Sequence, residues 1–230
     1  AWSKQWDHIG DDEARQSAAL KSPLLQRAYD AFEEAFKADL NNAYAGLNAL
    51  TLLVIQTELA QKLPDVWSRI QRRPADSEAE RQRRTERIGQ LICALELAVE
   101  SERDRLRREG TVDPWFSLLN ASVACIVSDQ PEFVAQLYED ARHFAPVDSE
   151  RSMCRALAVY QQLQIEGRDA RNPVDVVGSI GKNVDRALKV LACSDDEDTI
   201  CHEPQRILMF AGLRLIDASN PNGPRVGLPI

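Results

Sequence analysis

Apolar residues recur at intervals of three and four positions along most of the chain, and polar residues occupy the positions between them. This is the spacing of side chains on one face of an α-helix. Within residues 23–38 the apolar stripe consists of Leu24, Ala28, Ala31, Phe32, Ala35 and Phe36. Within residues 85–109 it consists of Ile88, Leu91, Ile92, Leu95, Ala98 and Val99. The pattern predicts an all-α protein.

Capping residues and turn residues set the predicted helix ends. Ser22 followed by Pro23 is typical of a helix start, because serine caps backbone N–H groups and proline has no N–H to lose. Residues 39–45 are predicted to form a turn before a strongly apolar helix at 48–62. The remaining predicted helices outside residues 113–146 lie at 85–109, at 148–165, from 172 onward, and at 184–192.

Residues 113–146 have the organisation of one helix-turn-helix unit of about 34 residues. The polar turn at 128–130 precedes Pro131, which fits the first turn of a second helix. The small, aromatic and closing positions of the unit are occupied by Ser122, Tyr138, Ala141 and Pro146. This spacing resembles a tetratricopeptide repeat, with departures at Leu118, Cys125 and Val134. An ordinary antiparallel helix pair is the alternative.

A second stretch, residues 36–53, reads FKADLNNAYAGLNALTLL. It resembles the signature of the TRAFs-binding domain, the tetratricopeptide-like regulatory region of apoptosis signal-regulating kinases, which also occurs in bacterial tetratricopeptide proteins. The matching residues are Asp39, Tyr44, Gly46, Asn48, Thr51, Leu52 and Leu53, whereas Ala45 departs from the proline common there. We predict that Gly46 allows a close helix approach, and that Asn48 hydrogen-bonds backbone groups of a turn at 44–48.

The helical resemblance covers roughly residues 23–163 and implies an α-solenoid of tetratricopeptide-like antiparallel helix pairs. We predict that the helical domain extends over residues 1–192 and is followed by a strand-containing segment over 193–230. The resemblance also implies a non-catalytic module that binds a protein partner and acts as a scaffold or regulator. The chain is predicted to be cytoplasmic. No cofactor is implied. The identity of the partner does not follow from the resemblance.

The predicted tail begins with an acidic linker at 194–203 and continues with an apolar run at 206–210, which is typical of a buried strand. Residues 206–218, with Pro224 and Arg225, are similar to a segment that follows the domain in bacterial members. There the segment leads into an α/β domain. An alternative is therefore that the chain is the regulatory part of a larger enzyme or nucleotide-sensing protein whose α/β domain follows residue 230.

Residues 62–87 are predicted to form an exposed insertion that is rich in arginine. The arginines are Arg69, Arg72, Arg73, Arg81, Arg83, Arg84 and Arg87. Nucleic-acid binding through this segment is an alternative function. A solvated helix or loop face is favoured instead, because acidic residues interrupt the arginines and the whole chain has a net charge of −8.

The sequence contains no arrangement that is typical of a catalytic or metal site. His8, His143 and His202 are scattered, and residues 178–182 lack the spacing of a phosphate-binding loop. No apolar run reaches the roughly 20 residues that span a bilayer. The five cysteines are predicted to be free thiols of a reducing compartment, the first two of them buried: Cys93, Cys125, Cys154, Cys193 and Cys201.

One face of the unit at 113–146 is a candidate docking surface, because the first helix of each tetratricopeptide unit lines the concave side of the array. Its apolar residues are Phe116, Leu119, Val123 and Ile126. Either a partner helix or an apolar peptide docks on them, or the chain's own helices cover them. Burial of Phe116 and Val123 by the chain itself would exclude docking on this face.

Overall fold

The computed structural model describes Trp6 and residues 8–71, 74–144, 147–167 and 177–191. This part of the chain is all-α, as predicted, and contains no strand. Its helices are α1 (Asp12–Lys21), α2 (Pro23–Ala38), α3 (Ala43–Lys62), α4 (Pro64–Ile70), α5 (Pro74–Glu109), α6 (Pro114–Val127), α7 (Pro131–Phe144), α8 (Val147–Gln162) and α9 (Ile180–Val190). Pro146, the acidic linker and the predicted strand lie outside the described residues.

Helix starts follow local capping chemistry. α2 begins at Pro23 directly after Ser22, as the sequence predicts. α3 begins at Ala43, because the Asn42 side chain accepts a hydrogen bond from the Ala45 backbone N–H at 3.0 Å. The predicted turn at 39–45 is therefore too long at its C-terminal end, and the first turn of α3 includes residues assigned to that turn.

Helix α3 forms the centre of the fold. It packs against α1, α2, α4, α5 and α6. Fourteen of its residues are buried, and Leu50, Ile55 and Leu59 are fully enclosed. A helix that is apolar on nearly all sides is stable only when other elements surround it, so the composition of α3 accounts for its position.

The segment at 62–87, predicted to be an exposed insertion, folds into α4 and the first turns of α5, where many side chains are exposed but Trp67 and Ser77 are buried. Trp67 on α4 is buried, and its indole Nε1 donates to the Ser77 backbone oxygen on α5 at 3.1 Å. The predicted start of the long helix at Thr85 is wrong, since α5 begins at Pro74. The sequence did not indicate a helix in these first turns of α5, because most of their residues are polar. The inner face of α5 is nevertheless covered by α4 and α3.

Helices α6 and α7 form an antiparallel pair with a short connection at 128–130, as predicted. Helix α9 packs against α7, α6 and α8. It begins at Ile180, four residues before the predicted start at 184. Within the described residues, no helix is both long enough and apolar enough to span a membrane.

Candidate functional site

The α6–α7 pair contains the residues that match a tetratricopeptide unit. Asp113 caps α6, because its Oδ1 accepts from the Trp115 backbone N–H at 2.9 Å. The Tyr138 hydroxyl on α7 donates to Ser122 Oγ on α6 at 3.4 Å. Ala141 is fully buried. The small residue Ser122 and the aromatic residue Tyr138 therefore meet at the contact between the two helices.

The predicted docking face of α6 is largely closed. Leu119, Val123 and Ile126 are buried, and Phe116 is half-buried and packs against the core. The packing partners of α6 are α3, α5, α7 and α9. The chain's own helices therefore bury Leu119, Val123 and Ile126 but leave Phe116 half-exposed, so the condition that would exclude docking is met at Val123 and not at Phe116, and docking on this face stays a prediction.

The start of α9 fixes the C-terminal end of α6. The last carbonyl groups of a helix have no partner within that helix and need donors from elsewhere. Donors from the segment 178–183 meet this need. They are Gly178 N to Ile126 O at 2.7 Å, Ser179 N to Ser128 O at 3.1 Å, and Asn183 Nδ2 to Cys125 O at 2.9 Å and to Ser128 O at 2.7 Å.

Gly178 is required for this close approach. A Cβ atom at position 178 would lie 2.1 Å from the Ser128 backbone oxygen, a distance that no side chain can accommodate without movement of the backbone. The glycine-rich stretch at 178–182 therefore serves a helix-end contact. Sequence analysis missed this role. The glycine content was an available signal of a close backbone approach, but it does not identify the element approached.

A buried carboxylate fixes the connection after α8. Glu58 on α3 accepts hydrogen bonds from the backbone N–H groups of Glu166 at 2.7 Å and Gly167 at 2.9 Å. It also forms an ion pair with Lys62 at 2.9 Å, and Lys62 Nζ contacts the Gln164 backbone oxygen. Sequence analysis missed this role. The available signal was that Glu58 is the only acidic residue of α3.

A cleft of about 190 Å³ lies between this connection and α9. Its lining consists of Tyr160, Gln161, Gln164, Ile165, Glu166, Gly181, Val184 and Asp185. Gln161 Nε2 donates to Asp185 Oδ1 at 3.0 Å, and Gln164 Nε2 donates to Asp12 Oδ2 at 2.8 Å. The polar side chains around the cleft thus largely bond to other residues of the chain.

Comparisons with known proteins give no match. No family model, no curated protein and no solved structure matches the chain. The likeness to the TRAFs-binding domain therefore depends on the residues of the sequence alone.

The histidines and cysteines do not form a metal site in the described part of the chain, where no cluster of three or more His, Cys, Asp or Glu is placed to hold an ion. His8 and His143 are exposed, and His202 lies outside the described residues. Burial raises the pKa of the Cys125 thiol to about 12, so this thiol stays protonated and unreactive near neutral pH. Cys93 is free but exposed, which corrects the prediction that it is buried.

Cys154 is disulfide-bonded, so the prediction of five free cysteines is wrong. We expect a thiol reagent to label three cysteines under denaturing, non-reducing conditions, because one disulfide removes two of the five thiols. The Cys154→Ser variant should give four labelled cysteines. Five labelled cysteines in the unmodified protein would contradict the disulfide. Disulfides are typical of oxidising compartments, and the cytoplasmic location stays a prediction.

Four arginines of α5, Arg81, Arg83, Arg84 and Arg87, pair with acidic residues of the chain. Arg81 pairs with Glu78, and Arg83 and Arg84 both pair with Glu80 at 2.9 Å. Two of these arginines also contact other helices. Arg87 pairs with Glu33 on α2 at 2.7 Å, and Arg84 contacts Gln26 on α2, Gln56 on α3 and the ring of Trp67 on α4. These charges hold α5 against its neighbours, which disfavours a phosphate-binding surface.

Glu33 has a lowered pKa. Burial alone would raise this pKa, but hydrogen bonds from Lys37, Tyr29 and Arg87 outweigh burial and lower the pKa to about 2, from an ordinary value of 4.5. A carboxylate with a lowered pKa stabilises the fold above its unfolded pKa. That stabilisation is lost as the pH falls from about 4.5 towards 2.

We therefore expect the unfolding free energy of the Glu33→Gln variant to decrease less than that of the unmodified chain as the pH is lowered. The unmodified chain should lose about 1–2 kcal/mol more than the variant between pH 4.5 and 2.5, a figure reduced for solvent screening. Urea unfolding at several pH values measures the difference. The neighbouring Glu34→Gln, at an exposed position, is the matched control and should follow the unmodified chain. Parallel curves for all three proteins would contradict the assigned role of Glu33.

Proposed function

We propose that the chain is a non-catalytic, tetratricopeptide-like scaffold that binds a protein partner and regulates it or an attached domain. The observation that carries this proposal is the α6–α7 pair. The turn at 128–130, the start of α7 at Pro131 and the contact between Ser122 and Tyr138 agree with the residue pattern of a repeat unit. Such units bury their apolar faces by stacking and commonly serve as binding scaffolds.

The start of α3 supports the likeness to the TRAFs-binding domain. A Cβ atom at Gly46 would lie 2.9 Å from Leu95 Cδ2 on α5 and equally close to the ring of Phe36 on α2, so only glycine fits without displacing them. Asn48 Nδ2 donates to the Tyr44 backbone oxygen at 2.8 Å within the first turns of α3, not in a separate turn. Gly46 and Asn48 therefore have structural roles within the helices. Structural roles for the signature residues are consistent with a module that binds a partner and has no catalytic site.

Capture experiments with the tagged full chain test this function. We expect at least one protein to be captured, to be identified by mass spectrometry, and to form a stoichiometric complex when both purified components are mixed. Protein binding through apolar contacts should change little between 50 and 200 mM salt, whereas nucleic-acid binding should fall steeply.

Two exposed aromatic residues provide variants for the same experiment. Trp115 at the start of α6 and Phe133 at the start of α7 are each 52% exposed, so their replacement by alanine leaves the core intact. Loss of the complex in either variant, with unchanged helical content, would locate the contact. Failure to capture any protein, or capture of nucleic acid that is lost with salt, would contradict the proposed function.

A further inference from the structure

The partner of the disulfide-bonded Cys154 on α8 can be narrowed to two cysteines. Cys93 and Cys125 are free, whereas Cys154 is not. Within one chain the partner is therefore Cys193 or Cys201, both of which lie outside the described residues. The packing of α8 against α9 distinguishes between these two candidates.

Helices α8 and α9 run antiparallel to each other and are in contact. Gln161 Nε2 donates to Asp185 Oδ1 at 3.0 Å, and the Gly181 backbone N–H donates to the Glu166 backbone oxygen at 3.1 Å. From the second contact to the first, residue numbers fall on the α8 side and rise on the α9 side. Residues before Gln161 therefore face residues after Asp185.

The same register brings Cys154 level with Cys193. Cys154 lies seven residues before Gln161, which is two helical turns, and therefore on the same side of α8. Cys193 lies eight residues after Asp185. At the helical rise per residue, these two steps have nearly the same length, about 10 and 12 Å. Cys193 also follows the buried Leu191 by only two residues, a chain length of at most about 7 Å.

The position of Cys154 is compatible with a bond to this segment. Its side chain is half-buried and packs against the core. A disulfide requires Cα atoms within about 4.4–6.8 Å of each other, which only chain segments in direct contact achieve. Cys201 comes eight residues after Cys193, so a bond to it would close a longer and entropically less favourable loop.

We infer that Cys193 is the partner of Cys154, and that the pair forms a redox-dependent crosslink between α8 and the residues directly after α9. The crosslink joins positions 39 residues apart and stabilises the fold, mainly because it restricts the unfolded chain. Helix α9 keeps its place when the crosslink is open, since its burial and its hydrogen bonds to α6 do not depend on the disulfide. The inference goes beyond the proposed function and does not depend on it.

Formation of the crosslink is a two-electron oxidation by a disulfide-containing oxidant, either a small molecule or a protein. The thiolate of one cysteine attacks the disulfide of the oxidant, forms a mixed disulfide and releases one thiolate. The second cysteine then attacks the mixed disulfide, which completes the S–S bond of the chain and releases the second thiolate. The two cysteines lose two protons and two electrons, and the oxidant is reduced to two thiols. The crosslink is therefore closed in an oxidising compartment and open in a reducing one.

Peptide mapping of the unmodified full chain tests the pairing without any variant. Free thiols are first alkylated, and the protein is then digested with trypsin and with a protease that cleaves after glutamate. Cleavage after Glu197 is essential, because it separates Cys193 from Cys201. We expect peptide 152–155 to be linked to peptide 190–197. A link to the peptide that begins at residue 198, a link to a second copy of 152–155, or no link at all would overturn the inference.

Thiol counting under denaturing, non-reducing conditions gives an independent test. Cys193→Ser should yield four labelled cysteines, because it also frees Cys154, whereas Cys201→Ser should yield two. Cys93→Ser is the matched control, since its thiol is free, and should also yield two. Two labelled cysteines for Cys193→Ser and four for Cys201→Ser would assign the bond to Cys201 and overturn the inference.

Thermal unfolding with and without a reductant tests the stabilising role of the crosslink. Reduction should lower the melting temperature of the unmodified chain and of Cys201→Ser by at least about 4 °C. It should leave that of Cys193→Ser unchanged, because this variant has no crosslink to reduce. An unmodified chain whose melting temperature does not respond to the reductant, or a Cys193→Ser variant that responds as strongly, would overturn this role.

Discussion

Glu58→Ala should destabilise the protein by about 2–4 kcal/mol. The residue is 6% exposed, and its carboxylate accepts from two backbone N–H groups and from Lys62. Removing it leaves those N–H groups without their acceptor and leaves the Lys62 ammonium without its counter-ion in a partly buried place. Urea unfolding followed by circular dichroism measures the loss of unfolding free energy.

Glu78→Ala is the matched control for this prediction. Its carboxylate also pairs with a cation, Arg81, but the Glu78 side chain is 71% exposed. An exposed pair of this kind contributes about 0–1 kcal/mol, because water solvates both groups when the pair is broken. Equal losses in the two variants would show that Glu58 does not fix the connection after α8.

Leu50→Ala should cost about 2–5 kcal/mol of unfolding free energy. Leu50 lies in the middle of α3 and is fully enclosed. Truncation to alanine removes apolar surface from the core and leaves a cavity that close-packed neighbours fill only in part. The midpoint of urea unfolding should fall while the helical content of the folded state is retained.

Leu97→Ala tests whether burial, and not the leucine-to-alanine change itself, causes this loss. Leu97 also lies within a helix, α5, but is 68% exposed. Its truncation should change stability by no more than about 0.5 kcal/mol, since alanine is a good helix former and no cavity is left. A loss comparable to that of Leu50→Ala would mean that Leu97 is covered in solution, for example by a second molecule.

Features that depend on nearby residues could be predicted from the sequence. The bounds of α2 follow from the Ser22–Pro23 start and from the apolar stripe that ends near Ala38. The α6–α7 pair follows from Asp113, from the polar turn and from Pro131. Each of these signals acts between residues that are close in the sequence, so the local sequence is sufficient to predict these helix ends. Both Asn42 and Asn48 are suitable capping residues for the start of α3. The helix was predicted to begin at Asn48, five residues after its actual start at Ala43.

Contacts between distant residues were decided only by the tertiary structure. Glu58 meets backbone groups more than 100 positions away, and Gly178 meets the Ser128 carbonyl 50 positions away. The periodicity of the sequence identified the apolar face of α6 but not the helices that pack against it. A face that the chain itself buries and a face that binds a partner have the same sequence pattern. The sequence by itself therefore determined most of the helices and their apolar sides, although it did not reveal α4 or the first turns of α5. Which faces remain open depended on how those helices pack, since burial belongs to an arrangement of several elements and not to any one of them.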